Sequence, residues 1–223
     1  MTTQPKYLYI LFSATPYRIG RLIRNVTGEP YNHVSLATDD SFSSLYSFAR
    51  RFYRTPFYGG FVTERPNRYR HNGVNSQVCI YRLPLTEYQW KRLDKLLQHL
   101  QSNAEHYLYN HLSVLMAPMH KKIPVQDAFT CAEFTVCVLD YLGYRFDPDQ
   151  FYTVCDIAQE LEPYLYYTGT FPESQETDPA FFQRHPVEHP GLITTRNFFT
   201  LCWRFTANNI GLARYRRGHF ASQ

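Results

Sequence analysis

Apolar and polar positions alternate with two different periods along the chain, which separates a strand-rich first third from a helix-rich middle. Four runs of β-forming residues predict strands, and a turn at 39–41 joins the second and third in a hairpin. These strands are predicted at 6–13, 31–38, 45–50 and 75–84. The segment 55–65 predicts a shaped loop with a short strand at its end. This layout predicts an α+β fold in which a mostly antiparallel sheet packs against helices.

Helical spacing of apolar residues predicts most of the remaining elements. The segment 86–102 places Thr86 at the N-cap position of a helix. The apolar stripe of this helix consists of Trp90, Leu93, Leu97 and Leu100. Further helices are predicted at 16–28, 107–116, 130–143 and 194–205. The segment 155–169 predicts a short helix that is broken at Pro163 and followed by a strand.

The last quarter of the chain has a different composition. Residues 171–190 contain four prolines and predict a linker, and a basic tail at 213–220 follows the last predicted helix. We therefore expect residues 1–170 to form one domain. Residues 171–223 are expected to form a linker and a helical, basic extension.

Composition and charge narrow the classes of function. Hydrophobic residues make up 44% of the chain and aromatic residues 17%, which is enough to build a large core. The formal net charge of +4 is too small to indicate nucleic-acid binding by itself. No apolar run is long enough to span a bilayer, and the N-terminal run lacks the features of a signal peptide. These observations predict a cytoplasmic protein whose five cysteines are reduced.

The segment 128–144 contains two cysteines in different environments. Thr130 and Glu133 form a T-x-x-E capping box, which places Cys131 at the first helical position. There the free backbone N–H groups and the positive end of the helix dipole stabilise a thiolate. Cys137 falls on the buried stripe of the same helix, where a thiol acts as a small hydrophobe. If one of the two is a nucleophile, it is Cys131.

A cysteine nucleophile needs a base within hydrogen-bonding reach, and the chain contains nine histidines. His33 lies in the middle of a predicted strand, on a face with the small residues Ser35 and Ala37. Four others are interpreted as helix-surface, core-facing or solvated residues: His99, His106, His111 and His120. His185 and His189 are four residues apart, but the neighbouring prolines argue against a metal-binding helix. His33 is therefore the favoured base.

The segments YNHVSLA (31–37) and FTCAEF (129–134), in that order, resemble the circularly permuted papain-like cysteine hydrolases related to the NlpC family. In that family a histidine on an early strand of a hairpin precedes a cysteine that opens a later helix. The segments LYSFARR and TPFYGGFVTE also resemble one bacterial branch of the group, and the resemblance covers roughly residues 6–170. It implies a permuted papain-like fold and a cysteine hydrolase of the amidase or peptidase type.

The resemblance also implies roles for particular residues. Cys131 would be the nucleophile and His33 the general base. The third member of the family's site, which is His or Glu in many relatives, falls here near Ser47, which can accept a hydrogen bond but carries no charge. Glu64 is the alternative for this role, and a dyad without a third member is also open. The implied chemistry is acyl transfer through a thioacyl-enzyme, without a metal or organic cofactor.

Two other functions stay open at this point. The same fold occurs in relatives of lecithin–retinol acyltransferase, so an acyltransferase or thioesterase acting on lipid-like substrates is one alternative. A catalytically inactive binding module is the other, because Ser47 is uncharged and the chain has 18 arginines against 5 lysines. The sequence leaves open which small peptide, amide or acyl compound is the substrate, and it leaves open the oligomeric state.

Overall fold

A six-stranded antiparallel sheet forms the centre of the computed structural model, which describes residues 5–52, 55, 57–71, 73–172 and 189–209. The strands are β1 (Lys6–Ala14), β2 (His33–Ala37), β3 (Leu45–Arg50), β4 (Gly59–Glu64), β5 (Arg70–His71), β6 (Val74–Asn75), β7 (Gln77–Leu85), β8 (Leu108–Tyr109), β9 (Ala128–Phe129) and β10 (Leu165–Thr170). The helices are α1 (Arg18–Thr27), α2 (Glu87–Ser102), α3 (His111–Met116), α4 (Cys131–Tyr141), α5 (Val154–Glu160) and α6 (Pro190–Asn209). The described residues therefore form a mixed fold of helices and mostly antiparallel strands, as the sequence predicts.

The strand order in the sheet is β10-β7-β1-β2-β3-β4, and all neighbouring strands are antiparallel. In the pairing of β1 with β2, Ser13 lies opposite His33. In the pairing of β3 with β4, Ser47 lies opposite Val62, two residues before Glu64. Three neighbouring strands thus bring His33, Ser47 and Glu64 into one region of the sheet.

Helices α2 and α4 contribute to the main core together with the sheet. This buried cluster includes Ile10, Phe12, Val34, Leu36, Phe48, Leu93, Leu97, Phe134 and Val138. A second, smaller cluster includes Leu11, Ala37, Leu45, Tyr69 and Phe171. Helix α4 lies against β2 and β3. Because burying a large apolar side chain contributes about 1.5–3 kcal/mol, this packing fixes the helix that begins at Cys131 on the strand that carries His33.

Several predictions made from local sequence patterns are confirmed. Thr86 caps α2, and Thr130 and Glu133 form the capping box of α4. Gly28 follows α1 in the left-handed conformation at φ 71°. Helix α5 is followed by a turn that contains Pro163 and then by strand β10, as predicted.

The helix predicted at 107–116 is wrong in its first part. Leu108 and Tyr109 instead form β8, which pairs in parallel with β9. Helix α3 begins only after Asn110, whose side chain accepts a hydrogen bond from the Ser113 N–H at 3.2 Å. A long-range pairing between strands has overridden the local helical pattern here, and the periodicity of the segment carries no sign of that partner.

Strand β4 passes very close to the segment that contains β8. A Cβ atom added at Gly60 would overlap the carbonyl oxygen of Tyr107, and one added at Gly59 would lie 2.8 Å from the Cβ atom of Tyr109. The two glycines therefore permit a close approach between two backbones. The short strand expected at the end of 55–65 is present and covers six residues.

Helix α6 packs on the rest of the chain through a small apolar cluster. The cluster includes Leu108, Val125, Ala128, Leu201 and Phe205. Most of the predicted linker and the whole basic tail lie outside the described residues, so the domain division at residue 170 stays a prediction. Among the described helices, none is both long and apolar enough to cross a membrane.

Candidate active site

The start of α4 brings a thiol to a helix N-terminus. Thr130 has an extended backbone (φ −81°, ψ 171°), and its hydroxyl accepts a hydrogen bond from the Glu133 N–H at 3.1 Å. In return, the Thr130 N–H donates to the Glu133 carboxylate at 2.8 Å. The first backbone N–H groups of a helix lack acceptors within the helix. Cys131, as the first residue of α4, therefore combines a nucleophilic atom with nearby hydrogen-bond donors.

The carboxylate of Glu133 also ties α3 to the start of α4. It accepts hydrogen bonds from the Ser113 hydroxyl at 2.6 Å and from the Asn110 amide at 3.4 Å. Burial raises the pKa of this carboxyl group, and the hydrogen bonds oppose the rise. The position of Cys131 is thus stabilised both by its own helix and by the segment before it.

His33, the first residue of β2, is only 7% exposed. The Cys131 thiol lies close enough to its side chain to interact with the imidazole and to raise its pKa. Its Nε2 atom lies 2.8 Å from Oε1 of Glu64, although the two residues are 31 positions apart in the sequence. The bond at Nε2 leaves Nδ1 as the nitrogen that can exchange a proton with the thiol. The imidazole of His33 is therefore in contact with both the thiol and the carboxylate.

Glu64 ends β4, and hydrogen-bond donors surround its buried carboxylate. Besides the imidazole, Oε1 accepts a hydrogen bond from the Ser47 hydroxyl, and Nε of Arg68 lies 3.6 Å away. Oε2 accepts a hydrogen bond from the Tyr69 hydroxyl, whose oxygen lies 2.7 Å from the Ser35 hydroxyl. These contacts hold the carboxylate in one orientation and satisfy both of its oxygens.

The charges around His33 determine its protonation state. Burial alone would lower the pKa of His33, but the Glu64 carboxylate and the hydrogen bonds to Cys131 and Glu64 raise it to about 9. Burial would raise the pKa of Glu64, yet Arg68 and His33 hold it far below its usual range. At neutral pH the site therefore contains an imidazolium beside a carboxylate, and this imidazolium can stabilise a thiolate on Cys131.

We expect the free energy of unfolding to fall by up to about 3 kcal/mol as the pH rises from about 6.5, the pKa of histidine in the unfolded chain, to about 9, the pKa of His33 in the folded protein. Because folding raises the pKa of His33, the protonated imidazole stabilises the fold fully below about pH 6.5. This stabilisation is lost as the pH rises through the folded-state pKa of about 9. The lowered pKa of Glu64 gives the opposite sign, so its contribution is lost in acid. Thermal unfolding across this range measures the alkaline loss. His33→Asn should flatten it, and equal slopes in the two proteins would contradict the assignment.

The structure brings together two of the predicted site residues, Cys131 and His33. Ser47 lies in the same neighbourhood, but its hydroxyl donates to Glu64. Glu64, the alternative third member, is the residue that pairs with the imidazole. Glu64 supplies the negative charge that a serine lacks, and the Ser47 hydroxyl stabilises that charge by donating a hydrogen bond to it.

Sequence reasoning missed Arg68 and Tyr69. Both lie just after β4, and Arg68 is four residues beyond Glu64. Nothing in the sequence identifies this turn as part of a site, because it is remote from both YNHVSLA and FTCAEF. The one available signal was the acidic residue at the end of a predicted strand with arginines directly after it.

The other histidines discussed above have different surroundings, and His120 lines a pocket together with Cys131. His111 begins α3, and burial lowers its pKa to about 4. His106 is exposed and pairs with Asp127 at 2.9 Å, while His120 is exposed. His185 lies outside the described residues. In the part of the chain that the structure describes, no group of three or more His, Cys, Asp or Glu residues could hold a metal ion.

Cys131 forms part of the wall of a pocket of about 270 Å³. The end of α1, the segment around α3, the start of α4 and residues 148–154 form the wall. Many of its side chains are apolar, among them Ile23, Val114, Pro118, Val136, Phe151 and Tyr152. Tyr109 also lines the pocket, and burial, with the nearby charges of Cys131 and Glu133, raises the pKa of its phenol. This phenol stays protonated and can donate a hydrogen bond in the pocket.

The fold and these contacts define a buried arrangement of thiol, imidazole and carboxylate at one end of a helix. Such an arrangement has the groups that covalent catalysis by a thiol requires. Comparisons of the chain with protein-family models, with curated proteins and with solved structures find no match. The functional conclusion therefore depends on the chemistry of these residues.

Proposed function

We propose that this protein is a cysteine-dependent hydrolase, of the amidase or peptidase type, that works through a thioacyl-enzyme. One observation carries the proposal: a thiol at a helix N-terminus contacts an imidazole whose Nε2 atom is bound to a buried carboxylate. This is the combination of nucleophile, base and orienting group that activates a cysteine. The substrate class is a small peptide, amide or acyl compound.

In the proposed reaction, the proton of the Cys131 thiol has already passed to His33 in the resting site, and the thiolate attacks the substrate carbonyl. The backbone N–H of Cys131 and the phenol of Tyr109 stabilise the oxyanion that forms. As the C–N or C–O bond breaks, His33 donates its proton to the leaving group, and the acyl group stays on sulfur. A water molecule then loses a proton to His33 and attacks the thioester, which releases the acid and restores the thiolate beside the protonated imidazole. Glu64 holds the imidazole in place and stabilises its charged form.

We also propose that the sheet and helices form a permuted papain-like domain over residues 1–170. The order along the chain supports this proposal, since the histidine opens β2 and the cysteine opens the later helix α4. The resemblance of the two segments around these residues points the same way.

An acyltransferase or thioesterase on lipid-like substrates is a second candidate, and the pocket beside Cys131 favours it. Apolar side chains contribute much of the pocket wall. An aliphatic acyl chain would bury apolar surface there, at about 25 cal/mol per Å² removed from water. The chemistry at sulfur is the same for both candidates, so the pocket affects the choice of acyl group.

Mass spectrometry of the intact protein tests the proposal directly. The chain is incubated with a medium-chain acyl thioester and, separately, with a dipeptide amide, and is then quenched in acid. The proposal predicts a covalent acyl adduct on the peptide that contains Cys131 with at least one of them. The preferred substrate separates thioesterase from amidase activity. An unmodified protein, together with alkylation of Cys131 no faster than in the unfolded chain, would indicate a binding module.

A further inference from the structure

A second pocket, also of about 270 Å³, has Glu64 in its wall but neither Cys131 nor His33. Strand β4, the turn after it, residues 51, 52 and 58 and the segment 104–105 surround this pocket. Three arginines line it: Arg51, Arg65 and Arg68. We propose that it binds a small organic anion, in which a carboxylate or phosphate group is attached to an apolar body.

Positive charge is in excess around this pocket. Its two acidic residues already have partners, because Glu64 pairs with the imidazole of the candidate active site and Glu105 accepts a bond from Arg51 at 2.7 Å. Arg65 is exposed, and its side chain makes no hydrogen bond or ion pair with the described residues. Its guanidinium is therefore available to a ligand and can bind a carboxylate or phosphate through two parallel hydrogen bonds.

Arg51 provides an independent indication of a missing acceptor. Its two terminal nitrogens donate to Glu105 and to the backbone carbonyl of Ala104, but its Nε is a buried donor with no hydrogen-bond partner. A buried donor without an acceptor costs about 1–3 kcal/mol. An anionic group in the pocket would supply acceptor oxygens to Arg65, and the charge of Arg51 beside it would add to the attraction.

Aromatic side chains line the same pocket and provide an apolar surface for the body of the ligand. Phe52 and Tyr58 have ring centroids 5.8 Å apart, and Phe61 and Val62 complete this wall. The guanidinium of Arg51 lies 5.3 Å from the centre of the Tyr58 ring. A flat apolar group can stack on such a surface while its acidic group reaches the arginines.

Calorimetric titration of the full chain with phenyl phosphate tests this inference, with benzyl alcohol as a neutral aromatic probe. We expect saturable binding of phenyl phosphate and at least about 10-fold weaker binding of benzyl alcohol. Arg65→Gln should weaken the binding of phenyl phosphate by about 5- to 10-fold, because it removes a charge-assisted contact. Arg70→Gln removes an exposed arginine that does not line the pocket, and it should change the affinity by less than about 2-fold.

Three results would overturn the inference: no saturable binding of phenyl phosphate, equal binding of benzyl alcohol, or the same affinity in the two arginine variants. The last result would place the probe elsewhere on the protein. The inference does not depend on the proposed catalytic function. Cys131→Ala should keep the full affinity for phenyl phosphate, so a failure of the proposed hydrolase activity leaves this test unaffected.

Discussion

Replacing Cys131 with alanine is expected to lower acyl transfer by about 10³-fold or more, because no other group in the site can form the thioester bond. The substitution removes one sulfur atom at the edge of the core and leaves the capping box of α4 intact. Initial rates on the best substrate of the parent protein, with equal amounts of folded protein, measure the loss. The covalent adduct should be absent from the variant.

Cys137→Ala is the matched control for this experiment. Cys137 lies in the same helix and is buried, and burial raises the pKa of its thiol to about 12, so it is an unreactive core residue. Its removal should lower the free energy of unfolding by about 1 kcal/mol and leave the reaction rate within about 3-fold of the parent. Activity that survives in Cys131→Ala but not in Cys137→Ala would refute the assignment of the nucleophile.

Iodoacetamide is expected to alkylate Cys131 roughly 100-fold more slowly in the Glu64→Gln variant than in the parent at about pH 6. The glutamine keeps the shape of the side chain but removes the negative charge that keeps the pKa of His33 high. Without this charge, burial favours the neutral imidazole, and the thiolate loses its cationic partner. The rate of iodoacetamide labelling as a function of pH measures the change. Equal labelling rates of the two proteins at every pH would contradict this role of Glu64.

Ser47→Ala separates the role of the charge from that of its support. This variant removes a hydroxyl that donates to Glu64 but keeps the carboxylate beside the imidazole. Its labelling rate should fall by less than about 10-fold, because one hydrogen bond to a charged group contributes about 1.5–3 kcal/mol, of which a water molecule at the site restores part. A larger loss in Ser47→Ala than in Glu64→Gln would return the orienting role to the serine.

Local patterns predict the parts of the site that depend on neighbouring residues. The T-x-x-E pattern places Cys131 at the first position of α4, because capping is a contact between residues three positions apart. The period of two along β2 separates Val34 and Leu36, which pack in the main core, from Ser35, which bonds to Tyr69. These features need no knowledge of distant parts of the chain.

The surroundings of the imidazole depend on pairings between distant segments, and local patterns do not contain them. The choice between Ser47 and Glu64 follows from the register of β3 and β4 and from the direction in which each side chain points. Arg68 joins the site through a turn whose sequence resembles an ordinary solvated loop. Strand β8 was missed for the same reason, since its partner β9 lies about 20 residues further along the chain.

The close approach at Gly59 and Gly60 affects how a mutational scan of this protein should be interpreted. An alanine at Gly60 would collide with the backbone at Tyr107, so β4 or the segment around Tyr107 would have to shift. Since Glu64 ends that strand and Tyr109 lines the pocket beside Cys131, the shift would disturb one or both of them. Substitutions at these two glycines would thus score as inactivating although neither residue takes part in the chemistry. In a directed-evolution library, both positions are best left unchanged.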